Sequence, residues 1–377
     1  EAVAEAKAKG IDIISLGIGD PDRPTPQFVI DAMIAALDNP ENHQYPSSAG
    51  MLSFRQAVAD FYQRRFGVSL QAKDEVCTLI GSKEGIANIH YCYVDPGDVV
   101  LVPDPGYPVY STATMLAGGE PYYMPLLAEN GFLPDLDAIP ADILKRAKIL
   151  WLNYPNNPTG GVMEPEDMKE LAVALDGTDI VVIADEIYAE LTYTGRPHVA
   201  FASIPGMRER TITLNGFSKA FAMTGWRMGY ACAPAPIARL MCKIHQFTIL
   251  CAPVQGQAAA AEALRAGRED NYASVEKMRK VYDQRRRIML DGFAKMGLPC
   301  FEPLGAFYVF PNIAGLNMKS DEFCEKLLRE QKVATVPGTA FGASGEGYIR
   351  CSYATATDKI IEALRRIELF VRHQRGE

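Results

Sequence analysis

An α/β architecture, with a mostly parallel sheet covered by helices on both faces, is predicted by three features of the chain. Short β-branched runs alternate with helical periodicity through its middle. Those runs are continuously apolar instead of strictly alternating, as strands buried on both faces require. At 377 residues the chain also exceeds one ordinary core, and roughly 100–200 residues per domain points to two lobes. We expect a large central domain over 41–264. A smaller α/β domain is expected from both chain ends, residues 1–40 (with an N-terminal arm) and 265–377.

The predicted strands are VVLVP at 99–103, KILWLN at 148–153, IVVIA at 180–184, TITLN at 211–215 and MGYACAP at 228–234, all read as parallel. A further strand, Val76 to Ile80, turns into a helix at Gly81-Ser82-Lys83-Glu84-Gly85. Thr25-Pro26 reads as a threonine cap and first-turn proline before Phe28, Val29, Ala32, Met33, Ala36 and Leu37, with Asn39-Pro40 as the stop. Phe54, Val58, Phe61 and Tyr62 mark a second helix ending near Gly67, and Pro165 opens a third. Ile360, Ile361, Leu364, Ile367 and Phe370 line one face of the last helix. Ligands in such a sheet bind beyond the carboxyl ends of the strands.

Composition narrows the function. A net charge of −8 argues against a duplex nucleic-acid surface, which needs a concentrated basic stripe. The eight cysteines are scattered without a C-x-x-C pair, and the five histidines (43, 90, 198, 245, 373) lack ligand spacing, so no metal site is expected. No run of about 18 apolar residues occurs, and the opening EAVAEAKAKG lacks the apolar segment of a signal peptide; a cytoplasmic location without membrane contact is the expectation.

The chemistry-bearing stretch is Asn215 to Arg227. Lys219 follows a strand and a small-residue turn, where burial lowers an amine's pKa towards what imine formation requires. Taken alone, it reads better as a solvated surface lysine. Arg227, eight residues on, offers a bidentate fork to a phosphate that Ser218 also reaches, and Ser82 opens a helix whose free amides suit an anion. The spacing of a nucleoside-triphosphate loop is missing there. Asp185 ends an apolar strand, where a carboxylate needs a cationic partner: a protonated pyridine nitrogen or a structural salt bridge. Tyr188 and Asn157 also fall just past strand ends, as hydrogen-bonding groups for a ring oxygen or as packing and turn residues. Their convergence carries the inference.

At these residues the chain resembles the fold-type-I, class I/II aminotransferases along essentially its whole length. The resemblance implies a seven-stranded, mostly parallel large-domain sheet, pyridoxal 5′-phosphate as cofactor, and Lys219 as the Schiff-base and proton-shuttling lysine. It implies Asp185 at the pyridine nitrogen, Asn157 and Tyr188 at the ring oxygen, and Ser82, Lys83, Ser218 and Arg227 at the phosphate. Tyr107, in Pro105-Gly106-Tyr107-Pro108, corresponds to the residue against the ring face. Tyr45, in His43-Gln44-Tyr45-Pro46, resembles the tyrosine that reaches a neighbour's phosphate, implying a homodimer with shared active sites. Arg350 resembles the clamp for the substrate α-carboxylate, with the Gly19 loop approaching the same group.

The stretches GIGDPDRPTP, NHQYPSSAGM and AGGEPYYMPLLAENGFLPDLDAIP resemble bacterial LL-diaminopimelate aminotransferases; ADEIYAELTY and NGFSKAFAMTGWR are similar to aspartate and N-acetyl-diaminopimelate aminotransferases. The expected reaction is amino transfer between an amino acid, with glutamate as donor, and a 2-oxo acid, on LL-diaminopimelate or a related dicarboxylic amino acid of lysine biosynthesis. Arg23 and Lys83 are candidates for a distal carboxylate. A broad aspartate/alanine aminotransferase and a C–S β-lyase are the alternatives. A non-catalytic regulator would need an attached DNA-binding segment, and the chain shows no basic helix of that kind.

Overall fold

The computed structural model describes residue 10 and residues 12–377. Residues 1–9 and 11, with part of the expected N-terminal arm and of the opening read for a signal segment, lie outside the described residues.

The chain runs β1 (Ile14–Ser15), α1 (Gln27–Asp38), α2 (Leu52–Phe66), β2 (Val76–Ile80), α3 (Ser82–Tyr93), β3 (Val99–Asp104), α4 (Val109–Leu116) and β4 (Glu120–Pro125). There follow α5 (Ala141–Arg146), β5 (Ala147–Leu152), α6 (Pro165–Ala174), β6 (Val181–Asp185), β7 (Thr211–Gly216), β8 (Met228–Cys232), α7 (Ala235–Thr248), α8 (Val254–Glu269) and α9 (Ala273–Lys295). The last elements are β9 (Tyr308–Val309), α10 (Ser320–Gln331), β10 (Val333–Ala334), β11 (Val336–Pro337), β12 (Ile349–Ser352) and α11 (Thr357–Arg375).

Seven strands form the central sheet in the order β2-β8-β7-β6-β5-β3-β4. The fold is thus α/β with a mostly parallel seven-stranded sheet. One strand departs from the expectation: β8 runs antiparallel to both β2 and β7. Only residues 217–227 join β7 to β8, without an α-helical crossover, and a parallel return needs a longer connection. Strands β5 to β7 are almost wholly buried, which explains their continuous apolar runs.

Two helix details also differ. Pro26 is itself the N-cap of α1, with φ −54° and ψ 139°, and the Thr25 hydroxyl donates to the Ala222 carbonyl at 2.8 Å instead of capping the helix. In α11, Ile361 faces solvent, whereas Ile360, Leu364, Ile367 and Phe370 are buried with Ala363 and Val371. Gly67 ends α2 in the left-handed conformation at φ 68°, and Pro165 stands at the start of α6 inside a capping box made by Glu164 and Asp167.

The remaining strands pair elsewhere: β1 parallel to β10, and β11-β12-β9 as a separate antiparallel sheet. Ile14 and Leu16 share one apolar cluster with Phe307, Phe323, Ile349 and Phe370. Val29 of α1, in the segment grouped above with the smaller domain, packs instead with Phe54, Val58 and Tyr62. The two regions meet where the Gly106 amide donates to the Phe341 carbonyl at 2.8 Å and the Ser344 amide donates to Asp104 Oδ1 at 3.1 Å. That seam lies at the carboxyl end of β3. Among the described residues, no helix is long and apolar enough to cross a membrane.

Candidate active site

A cavity of about 580 Å³ opens at the carboxyl ends of the strands, at the same seam. Gly19, Ser82, Lys83, Tyr107, Asn157 and Asp185 line it, and so do Tyr188, Ser218, Lys219, Arg227 and Arg350. Tyr45 does not. It is 84% exposed, beside Ile80 and Cys251 in a separate surface groove.

Asp185 is the last residue of β6 and is buried. Its Oδ2 accepts a hydrogen bond from Tyr110 Oη at 2.7 Å and its Oδ1 accepts one from the Ile187 amide at 3.3 Å. Burial raises the carboxyl pKa to about 6; the Tyr110 and Ile187 bonds pull the other way and lose. Lys219 sits three residues past β7, and burial pushes its amine down to about 8, with Asp20 opposing and Arg350 and Arg227 adding to the shift. Its Nζ donates to the Gly19 carbonyl at 2.5 Å.

Tyr188 Oη shares a 2.9 Å hydrogen bond with Tyr308 Oη. Asn157 is set by Asn153, whose Oδ1 accepts the Asn157 amide at 3.0 Å and whose Nδ2 donates to the Asp185 carbonyl at 3.0 Å. Arg350 Nη1 donates to Asn157 Oδ1 at 2.8 Å and its Nη2 to the Gly17 carbonyl at 3.0 Å; Nε is buried without a partner. Its guanidinium lies 4.3 Å from the Tyr308 ring and 4.7 Å from the Phe341 ring.

At the other end of the cavity, Gly81 turns β2 into α3 at φ 73°, and no side chain caps that helix. A Cβ on Gly81 would fall 2.3 Å from Arg227 Nη2, and one on Gly229 would fall 2.5 Å from the Ser82 amide nitrogen. The turn therefore presents backbone amides and a guanidinium at close quarters, the donor set of an anion site. Lys83 Nζ lies 5.7 Å from the Tyr107 ring centre.

Charge balance gives the test of fit. The cavity carries Lys83, Lys219, Arg227 and Arg350 against Asp20 and Asp185, although the whole chain is at −8. Among the described residues, none of these six takes part in an ion pair, while surface pairs abound. Asp185 and Arg350 are buried and Lys219 is half-buried, and unpaired charges there are costly, so the site suits a ligand that brings a phosphate, a carboxylate and one ring cation. The residues present fit pyridoxal phosphate together with an amino acid. No group of three or more potential metal-ligating side chains occurs among the described residues.

Tyr110 and Tyr308 escaped the sequence reading. Tyr110 is three residues from Tyr107, a helical spacing that could have found it; Tyr308 has no motif around it. Arg23, a candidate for a distal carboxylate, does not line the cavity, whereas Lys83 does.

Known proteins match nearly the whole chain. The family model for aminotransferase class I and II matches residues 11–367. An LL-diaminopimelate aminotransferase from Moorella thermoacetica is 47% identical over 365 residues, 97% of this chain and 92% of that protein. The crystal structure of an aromatic aminotransferase from Pyrococcus horikoshii superposes with a TM-score of 0.92 at 38% identity, covering 99% of each chain. A Thermus thermophilus aspartate aminotransferase double mutant gives 0.92 at 35% identity, covering 97% of this chain and 94% of that one.

Proposed function

Since the chain belongs to the class I and II aminotransferases, enzymes dependent on pyridoxal 5′-phosphate, we propose that it transfers the amino group of LL-diaminopimelate or a closely related dicarboxylic amino acid, with glutamate as the amino partner. The observation that carries the reaction is the meeting of Lys219, Asp185 and Arg350, each without a charged partner, in one cavity. The near full-length kinship with diaminopimelate aminotransferases supports the substrate class.

When bound, pyridoxal 5′-phosphate supplies an aldehyde that receives the amino group and a protonated pyridine ring that withdraws the electron pair left at the substrate Cα. Asp185 would hold the pyridine nitrogen, and its Tyr110 bond favours the anionic carboxylate that role requires. Asn157 and Tyr188 would hold the ring oxygen, and Tyr107 would cover the ring face. Ser82, Lys83, Ser218 and Arg227 would bind the phosphate. Lys219 Nζ accepts the proton leaving Cα and returns it two atoms away; burial near Arg350 leaves it neutral more often than a surface lysine. Arg350 grips the α-carboxylate beside the Gly19 loop.

The same proposal includes a homodimer in which Tyr45 reaches the neighbour's phosphate, and the exposure of Tyr45 outside its own cavity supports it. Two lobes, a large one over about 41–264 and a smaller one from the chain ends, would close over the seam, with α1 lying on the larger. Eight free cysteines support a reducing, cytoplasmic setting.

The test is a half-reaction panel. The yellow cofactor-loaded protein is mixed with LL-diaminopimelate, its N-acetyl derivative, aspartate, alanine and glutamate, and the loss of visible absorbance is followed. LL-diaminopimelate and glutamate should react fastest. Faster turnover of aspartate or alanine than of LL-diaminopimelate would replace the substrate assignment. Stoichiometric thiol and pyruvate release from a cystathionine-like substrate, without amino transfer to the cofactor, would replace the reaction.

A further inference from the structure

Behind the Gly81 turn, outside the cavity, a buried carboxylate is held by three donors. Glu84 is the third residue of α3. Its Oε2 accepts the Ile80 amide at 2.6 Å, while its Oε1 accepts Asn88 Nδ2 at 2.9 Å and His245 Nδ1 at 2.5 Å. The side chains of Glu84 and His245 are 8% and 0% exposed, and His245 Nε2 has no hydrogen-bond partner. His245 comes from α7, which otherwise has no contact with the ligand cavity.

An ordinary capping box returns the third-residue carboxylate to the amide of the cap itself. Here it reaches one residue further, to Ile80, so that the bond spans the left-handed Gly81. This turn has little room to drift. The Gly81 Cα faces Arg227 and the Ser82 amide faces Gly229, both at distances that a single added carbon would violate. A carboxylate in the first turn of the helix would also meet an incoming phosphate with like charge, and the Glu84 side chain, fixed by Asn88 and His245, stays outside the cavity lining.

We infer that Glu84 and His245 are positioning residues for the phosphate cradle: the carboxylate clamps the Ile80–Ser82 turn, and the histidine holds the carboxylate in place. This rests on the reading of Ser82, Ser218 and Arg227 as the phosphate site. Its consequence is selective, because the pair governs binding of the phosphate and not of the ring.

The experiment compares pyridoxal 5′-phosphate with pyridoxal, which lacks the phosphate, by absorbance titration of the apoprotein. Glu84→Ala should weaken pyridoxal phosphate by roughly tenfold or more and change pyridoxal by less than about twofold, as loss of a charge-assisted anchor implies. His245→Ala should act in the same direction and less than additively with Glu84→Ala. Glu84→Gln, which keeps an acceptor oxygen for the Ile80 amide, should restore most of the preference. Equal weakening of both ligands, or of neither, would overturn the positioning role. If Glu84→Ala does not fold, His245→Ala decides, and an unchanged preference there overturns it. Arg227→Gln separates the two readings: if it leaves the phosphate preference intact, the phosphate site itself is misassigned. If it abolishes the preference while Glu84→Ala and His245→Ala do not, only the positioning role fails.

Discussion

Arg350 Nη1 donates to Asn157 Oδ1 at 2.8 Å, joining β12 to the turn after β5 across 193 residues of sequence. With Nη2 held by Gly17 and the guanidinium against Tyr308 and Phe341, the fork is set before any carboxylate arrives. It makes the first prediction specific.

Arg350→Lys should lower kcat/KM for amino-acid substrates by about 10- to 100-fold, since a bidentate charge-assisted contact is worth roughly 1.5–3 kcal/mol and an ammonium cannot reproduce it. Affinity for pyridoxal phosphate should stay within about twofold of the parent. Steady-state kinetics beside a cofactor titration check both, and a parallel loss of cofactor would place Arg350 elsewhere in the mechanism.

Lys219→Ala should abolish amino transfer. Borohydride reduction of the parent holoprotein, followed by peptide mass spectrometry, should put the pyridoxyl adduct on Lys219 and on no other lysine. An adduct at Lys83 would reverse the two assignments.

The reactivity of Lys219 should depend on pH with a definite sign. The neutral amine is the nucleophile, so cofactor capture by apoprotein should rise with pH through about 8, to which burial pushes the Lys219 amine, and level off above it. At pH 7 roughly a tenth of such an amine is neutral, against fewer than about one in a thousand for an ordinary lysine. Stopped-flow capture rates measure this; a rise that continues past pH 10 would show an unperturbed amine.

Tyr110→Phe should move the acid limb of cofactor binding by the apoprotein to higher pH. The Tyr110 hydroxyl stabilises the charged form of Asp185, whose pKa burial already lifts to about 6, so its removal raises that pKa further. The Tyr110 ring, stacked on Trp151 with centroids 4.3 Å apart, keeps its packing in the phenylalanine variant. A lower plateau with an unmoved limb would mean that Tyr110 does not act through Asp185.

Gly229→Ala should weaken cofactor binding and lower the melting temperature together. The new methyl would fall 2.5 Å from the Ser82 nitrogen and 2.7 Å from the Gly81 carbonyl carbon, both backbone atoms that cannot rotate away. Overpacking of this kind costs about 1–3 kcal/mol. Thermal melting with and without cofactor checks it.

Much of the site was legible because its chemistry is local. Asp185 ends a strand, and Asn157, Ser82 and Lys219 follow strands, whose apolar runs are plain in the sequence, and a polar group at a strand end points to the ligand face of such a sheet. The antiparallel β8 was missed because β-branched composition is the same in either direction; the short link from 217 to 227 was the one local signal of its direction. Thr25 misled for a related reason: its hydroxyl found Ala222, 197 residues away, and a local capping rule has no knowledge of that partner.

The sequence by itself determined the α/β class, the positions of the strand-end groups and the lysine proposed to carry the chemistry. Tertiary structure alone decided that Tyr110 backs Asp185, that Tyr308 lies between Tyr188 and Arg350, and that Tyr45 stands outside its own cavity. Periodicity and turn chemistry act over a few residues and leave a pattern in the chain. A hydrogen bond between residues 75 or 120 positions apart depends on how helices and strands pack, and packing leaves no local trace.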